Sequence, residues 1–465
     1  MNHNASNSAA LNRACRKAYL RLLPLLFVCY VIAYIDRVNV GFAKLQMREA
    51  LNFSETVFSI GMGIFFIGYL LLEIPGTLLV ERWSAKKWIS RIMITWGIFT
   101  ILTAWVKTPL QFYTVRFLLG VAEAGFFPGV IVYLTHWFPR SQRTKALAWF
   151  FIGTPLAQII GPPISEWLMR IGVDSPAVLG LVGWQWVFVF WGLPAMLLGL
   201  VVLFWLTDRP HQAHWLTEEE RQALESTLAE DRAALGGGHS HMTIGEALMN
   251  RKVVALSAAY FFVVTGNYGV ELYLPTIFKA WYNLDFKDVA YLVVIPPIGS
   301  VIGQLLVGWN SDRTGERRWH ATLPIVLGAI ALAATPFSEG TLWLTVALFT
   351  LAMTGLKAYL PAFWSLPSLF LTATAAAASI GMINSFGNLG GAVGPITIGF
   401  LKDALGEFKY GIWFLSGSML VSSVVIFSLR FKSESNKPEA ELTNASCPNA
   451  SESSRAPRIE PSAQA

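Results

Sequence analysis

Apolar runs of about twenty residues, each closed off by a short cluster of charge, follow one another along nearly the whole chain. A helix of about 20 residues crosses the roughly 30 Å hydrocarbon core of a bilayer. Inside that core each backbone N–H and C=O must find its partner within the segment, so such runs are expected to be helices. Charged residues make up 14% of the chain and hydrophobic residues 54%, whereas a soluble domain carries about 25% charged residues. The pattern therefore predicts an all-α membrane protein. Twelve spans can be placed, six near 20–42, 54–80, 88–106, 110–136, 146–169 and 184–207, and six near 253–277, 288–309, 321–338, 341–366, 372–401 and 410–431.

This pattern sets the expected organisation. A tail over 1–19 precedes a first six-helix bundle over 20–207. A polar central loop over 208–252 leads to a second bundle over 253–431, and a tail over 432–465, rich in Ser, Asn, Pro and Glu, is expected to be disordered. Within the central loop, Thr217 followed by Glu218, Glu219 and Glu220 predicts a capped helix start. The first apolar run is too long for a signal peptide, contains Asp36 and Arg37, and has no small-residue cleavage site. Cys15, Cys29 and Cys447 give no disulfide or zinc spacing. The glycosylation-like triplets at Asn444 and Asn449 are read as chance.

The net charge of +6 does not point to nucleic acid, because the basic residues sit mostly in short loops. Arg13, Arg16, Lys17 and Arg21 precede the first span, Arg82, Lys86 and Lys87 follow the second, and Arg313, Arg317 and Arg318 follow the eighth. The alternate loops are poorer in Lys and Arg, which predicts that both termini are cytoplasmic.

Two of those basic loops are copies of one another. Thr77-Leu-Leu-Val-Glu81-Arg82-Trp-Ser84-Ala-Lys86-Lys87 is matched by Gly308-Trp-Asn-Ser-Asp312-Arg313-Thr-Gly315-Glu-Arg317-Arg318. Gly161-Pro162 in the fifth span recurs as Gly394-Pro395 in the eleventh. Repeated six-span halves are the signature of a membrane transporter. Both loops are read as gating elements at the cytoplasmic side, through Glu81, Arg82, Asp312 and Arg313, whose charges form salt bridges and helix caps in one state of the cycle and release them in the other.

These features together resemble the major facilitator superfamily. The second loop fits that superfamily's cytoplasmic signature; in the first, Thr77, Glu81 and Ser84 stand for Gly, Asp and Gly. Tyr34-Ile-Asp36-Arg37-Val-Asn39, Glu73-Ile-Pro75, Gly183-Trp-Gln-Trp186 and Ile383-Asn384-Ser-Phe-Gly-Asn388-Leu-Gly390-Gly391 are similar to the anion:cation symporter family within it. The resemblance implies proton-coupled symport of an organic acid by alternating access, with tartrate-type and hexonate-type carriers the nearest. It also implies a small organic-acid substrate and a proton as partners, a functional monomer, and a multi-pass location in a bacterial inner membrane.

Ionisable side chains inside spans are costly and are functional candidates by default. Arg37 is expected to bind a substrate carboxylate, because a guanidinium presents a rigid fork that matches it; the competing reading is a structural ion pair. Asp36 and Glu123 are the expected proton-coupling acids, a role the resemblance supports for both; Glu123 shares a helix stripe with Arg116 and Gly120, and its alternative role is to pair with Arg37. Lys357, deep in the tenth span and on one expected face with Leu360 and Trp364, is read as gripping a second carboxylate. Its alternative is a pair with Glu271. Tyr69, Gln158, Asn267, Tyr268, Asn384 and Asn388 qualify by depth as readers of hydroxyls, with Tyr69, Gln158 and Asn384 favoured partly by family position; each could instead be helix–helix glue. Glu73 is balanced between a structural and a functional role, and His136 and His320 are expected to be solvated at span ends.

A drug/proton antiporter is the alternative function, which the intramembrane cations Arg37 and Lys357 disfavour. No nucleotide-binding loop, metal-ligand cluster or nucleophile–base set is visible in the sequence, so neither an enzyme nor a cofactor is expected.

Overall fold

The computed structural model describes residues 2–139, 142, 146, 150, 152–173, 175–236, 246, 249–367 and 373–429, and these are helical almost throughout, with no extended strand among them. The first half comprises α1 (Asn2–Leu51), α2 (Glu55–Arg82), α3 (Ala85–Thr103), α4 and α5 (Pro109–Glu123 and Phe126–Thr135), α6 (Gly153–Met169) and α7 (Gly183–Trp205). A connecting helix α8 (Glu218–Gly236) leads to the second half. That half holds α9 (Arg251–Tyr282), α10 and α11 (Phe286–Leu292 and Ile295–Thr314), α12 (Arg318–Ala334), α13 and α14 (Leu342–Ala358 and Leu360–Ser365), α15 (Ala373–Leu405) and α16 (Lys409–Ser428). Among the described residues nine passes have the length and hydropathy of a membrane span. Helices α3, α6 and α15 occupy the other three expected positions. Side chains such as Leu71, Phe204, Leu305, Leu327 and Val424 are exposed on the outside of the bundle, where lipid replaces water as solvent.

Three spans expected to be single helices are broken, each for a local reason. The fourth ends at Glu123 and restarts at Phe126, because Gly125 lies in the left-handed region at φ 82°, a conformation glycine adopts without steric cost. The eighth breaks at Val293–Val294, ahead of Pro296 and Pro297, and the tenth at Tyr359, ahead of Pro361. Proline suits a first helical turn and cannot supply the N–H that a continuous ladder needs.

Both halves use glycines to seat helices closely, though between helix pairs that are not counterparts in the repeat. In the first half Gly68 and Gly120 bring α2 against α4: a Cβ at Gly120 would lie 2.0 Å from the Phe65 carbonyl oxygen, and one at Gly68 2.3 Å from that of Phe117. In the second half Gly390 and Gly394 bring α15 against α9, with a Cβ meeting the Phe261 and Thr265 carbonyl oxygens at 2.2 and 2.1 Å. Small residues let membrane helices approach this closely, which supplies packing energy where no hydrophobic drive between helices exists. The Gly-Pro echo divides: Gly394 is locked against the α9 backbone, while a Cβ at Gly161 would meet only the Ile35 side chain of α1, tightly, at 3.3 Å.

Helix α1 continues through the segment expected to be a tail, and its Arg13 and Lys17 reach Glu219 and Glu220 of α8 at 3.2 and 2.7 Å. The capped start expected at Thr217 is present as a reciprocal pair. The Glu220 amide donates to the Thr217 hydroxyl at 3.3 Å, and the Thr217 amide donates to the Glu220 carboxylate at 3.0 Å, satisfying two free helix N–H groups.

At the opposite end of the bundle the two halves are fastened together. Lys279 donates to the Leu45 carbonyl at 3.3 Å and pairs with Glu49 at 3.6 Å. The Thr56 amide, in the first turn of α2, donates to Asp403 of α15 at 2.6 Å. The Lys44 ammonium pairs with Glu55 and lies 3.8 Å from the centre of the Tyr273 ring. Gly41 has the Leu272 carbonyl oxygen where a Cβ would stand, at 2.6 Å.

Candidate functional site

Two clusters of buried charge meet where α1 of the first half faces α9 of the second. In the first, the Arg37 guanidinium forms an ion pair with Glu123 and donates to the Tyr268 hydroxyl across the half boundary at 3.1 Å. It lies over the rings of Tyr69 and Phe65, 5.2 and 5.7 Å from their centres, a cation–π arrangement that suits a desolvated guanidinium. Glu123 occupies the last turn of α4, directly before the Gly125 break.

In the second cluster, Lys357 pairs with Glu271 at 2.7 Å. The Tyr34 hydroxyl donates to the other Glu271 oxygen at 2.8 Å and lies 3.5 Å from the Lys357 ammonium. Tyr34 stands one turn before Arg37 on α1, and Glu271 one turn after Tyr268 on α9. On a helix such neighbours are about 5–6 Å apart, so the two clusters adjoin. The pairing of Lys357 with Glu271, weighed in the sequence as the alternative to a substrate role, is the contact the structure contains.

Asp36 is buried on the side of α1 that faces α3, where its carboxylate accepts hydrogen bonds from the Trp96 indole and the Thr100 hydroxyl, both at 2.5 Å. It is thus turned away from the Arg37–Tyr268 contact, as the offset between adjacent helix positions requires. Arg116, also buried, donates from Nε to the Gly61 carbonyl at 3.3 Å and lies over Phe65 at 4.9 Å. Its helix stripe with Glu123 was visible in the sequence, but its burial beside Arg37 and the acids was not.

Asn384 and Asn388 do not face free space. Their amides donate to Glu73 of α2, Asn384 at 2.6 Å and Asn388 at 3.3 and 3.1 Å to its two oxygens. Glu73 therefore joins the halves one layer further from the fastened end. Trp364 and Lys357, expected on one face, are separated by the Tyr359 break. Lys357 pairs with Glu271 of α9 and approaches Tyr34 of α1, whereas Trp364 packs edge-on against Tyr260, earlier on α9, ring centres 5.0 Å apart. Gln158 lines a cavity of about 50 Å³ together with Asn39, Glu271, Pro297 and Met353. Arg37 Nε, Glu123 Oε2, Gln158 Nε2 and Asn267 Oδ1 are buried with no hydrogen-bond partner among the described residues. Buried polar groups are nearly always satisfied, so these four atoms are candidate partners for a ligand.

The loop copies act in part as helix caps. Asp208 accepts from the Ser84 hydroxyl at 2.7 Å and from the Lys86 amide at 2.8 Å. Glu316 accepts from the Trp319 amide at 2.8 Å at the start of α12. Arg313 is exposed and lies over the Trp309 ring at 5.5 Å. The side chains of Glu81, Arg82 and Asp312 lie outside the described residues, as do the glycosylation-like triplets at Asn444 and Asn449 and Cys447. His136, expected to be solvated, is buried, while His320 stands 3.0 Å from Glu316.

The described residues contain no group of three metal-ligating side chains. The family model of the Major Facilitator Superfamily matches residues 26–395. The chain belongs to that superfamily. It is 44% identical over 423 residues to a "Putative tartrate transporter" of Agrobacterium vitis, covering 91% of this chain and 96% of the relative. It is 39% identical over 429 residues to a quinolone resistance transporter of Acinetobacter baumannii, covering 91% and 96%. Among solved structures it matches the partially occluded, inward-open xylose transporter XylE of Escherichia coli with a TM-score of 0.69 at 12% identity, covering 88% and 97%. The superfamily member described here is a multi-pass inner-membrane transporter and not an enzyme.

Proposed function

We propose that this transporter takes up a small organic anion together with protons, with hydroxy-dicarboxylates of the tartrate type as its substrate class. The observation that carries the reading is Arg37. It is a half-buried guanidinium at the boundary of the halves, held by one acid and one cross-half hydroxyl, with its buried Nε still unpartnered. Resting, the Arg37–Glu123 pair is neutral. A substrate carboxylate that engages Arg37 makes the site net negative, and in a low dielectric an uncompensated charge is expensive. A proton on Glu123 removes the excess and frees the guanidinium for the substrate, so anion and proton each favour the other's binding. Asp36, with Arg116 near it, is the second proton-coupling acid, linked to the first through α1 and α4. Tyr69, Gln158, Asn267, Asn384 and Trp364 are assigned to the substrate's hydroxyls and carbon chain, with Glu73 occupying the Asn384 amide until substrate arrives.

Positive loops place the Arg13–Lys17 end in the cytoplasm. The fastened end with Lys279 and Asp403 then faces outside, and the conformation is inward-facing. In the rocker-switch cycle those outer contacts release as the cytoplasmic loop motifs, with Glu81, Arg82, Asp312 and Arg313, engage. The domain limits given above and a functional monomer belong to the same proposal, and the expected C-terminal tail lies outside the described residues.

The quinolone resistance relative favours a second reading, proton-driven efflux of a drug. Purified protein in liposomes separates the two. Uptake predicts that tartrate accumulates when the outside is acidified and that a proton ionophore stops it. Accumulation that ignores the ionophore and follows sodium defeats proton coupling, and proton-driven quinolone export without anion uptake establishes the second reading.

A further inference from the structure

The Lys357–Glu271 pair has a consequence for dicarboxylate transport that rests on the anion/proton reading above. A lysine already matched by a glutamate at 2.7 Å cannot serve as a free cation for a second carboxylate. Placing a dianion between Arg37 and Lys357 with both acids ionised leaves two uncompensated negative charges in the bundle. Protonating Glu123 alone removes only one. The charged and titratable groups facing Glu271 are few. Tyr34 and, one turn on, Arg37 approach from α1, Lys357 from α13, and Tyr268 from its own helix. The α6 and α11 residues that share its cavity, Gln158, Pro162 and Pro297, carry no charge. Glu271 is thus the acid whose protonation can release Lys357.

We infer that Glu271 is a further proton-carrying residue beside Glu123 and Asp36, used when the substrate has a second carboxylate. The exchange balances: a proton from solution adds to the Glu271 carboxylate, the Lys357 ammonium keeps its own protons, and the substrate carboxylate replaces Glu271 as its partner. Tyr34, which now donates to Glu271, turns its hydroxyl to accept from the neutral acid or to donate to the substrate. A monocarboxylate engages Arg37, leaves the Lys357–Glu271 pair closed, and carries one proton fewer. The pair thereby links the number of carboxylates recognised to the number of protons moved, and one carrier can drive both anion classes at matched charge.

The test compares tartrate with threonate, which has the same four-carbon chain with a single carboxylate. In proteoliposomes, the pH gradient that just balances a fixed substrate gradient gives the protons carried per anion. The wild-type ratio for tartrate is expected to exceed that for threonate by one, and Glu271→Gln to abolish the difference. Equal ratios in the wild type overturn the inference, as does a difference that survives in Glu271→Gln, or threonate transport with no tartrate transport. If Glu271→Gln does not reach the membrane, the paired variant Glu271→Gln/Lys357→Met removes both charges together. Tartrate still carrying its extra proton through that variant is likewise an overturning result. If neither anion responds to the pH gradient, the coupling reading itself fails and this inference with it. That outcome is distinct from coupled uptake with equal ratios, which removes Glu271 alone.

Discussion

The two halves solve the same packing problem and place charge differently. In both, glycines seat one helix against another's carbonyls, through Gly68 and Gly120 in the first and Gly390 and Gly394 in the second. Yet the first half buries Asp36, Arg116 and Glu123 around a half-buried Arg37, whereas the second offers Lys357 and Glu271 and otherwise reads the interface with amides and hydroxyls. The repeat offset makes this concrete. Arg37 and Tyr268 are 231 positions apart, the same offset that separates the loop copies, and they touch across the boundary. Equivalent positions thus face each other, one carrying charge and the other a hydroxyl. Symmetry supplies a scaffold that can rock; the broken symmetry supplies a polar, directional site at its centre.

The comparison can be broken at its strongest point first. Arg37→Lys keeps the charge but loses the fork that serves Glu123 and Tyr268 together. Each charge-assisted hydrogen bond that the fork makes is worth about 1.5–3 kcal/mol, so with two of them at stake substrate-dependent uptake is expected to fall by about a hundredfold or more, measured as initial rates in proteoliposomes. Activity close to wild type would move the anion site out of the first half.

A smaller, selective effect is expected in the second half. Lys357→Ala leaves Glu271 without its cation and removes the grip on a second carboxylate. Loss of one charge-assisted hydrogen bond is about 1.5–3 kcal/mol, so tartrate affinity should drop by at least about tenfold. Threonate should be affected far less. An equal loss for both anions would show that the two halves do not divide substrate recognition.

The smallest effect concerns how the first half is tied to the connecting helix. Burial raises the pKa of Glu220, but the Lys17 ammonium, the Thr217 amide and the Thr217 hydroxyl outweigh it and hold the carboxylate below its ordinary range. A depressed folded-state value means that this contribution to docking is present above the ordinary carboxylate range and is lost as pH falls through the folded value. Hydrogen exchange of the α8 amides, corrected for intrinsic rates, should therefore report docking weakened by about 1 kcal/mol or less on acidification. In Glu220→Gln this pH dependence should disappear. A pH response that survives the substitution assigns the docking to other contacts.

Much of this was legible from the order of residues. Depth was readable, because counting from a span's ends places Arg37, Glu123 and Lys357 well inside the bilayer. So was the Thr217 cap, because its partner is three residues away. The breaks after Glu123 and before Pro296 and Pro361 had visible glycines and prolines, yet hydropathy continues across them, and the spans read as unbroken. Partner choice was not readable. Glu123 and Glu271 were each named as one possible partner among alternatives, and nothing local selected Trp96 and Thr100 for Asp36 or Glu73 for Asn384.

The sequence by itself determined a twelve-span membrane transporter of repeated halves, because the bilayer admits so few backbone solutions that hydropathy and the paired loop motifs suffice to name one. Only the tertiary structure decided that Lys357 is already neutralised and that Asp36 faces α3. Only it could show that the asparagines of α15 are held by a glutamate of α2. Those facts depend on the rotation of each helix about its axis and on which distant turn it crosses, and a buried charge commits to whichever partner that crossing brings within hydrogen-bond reach.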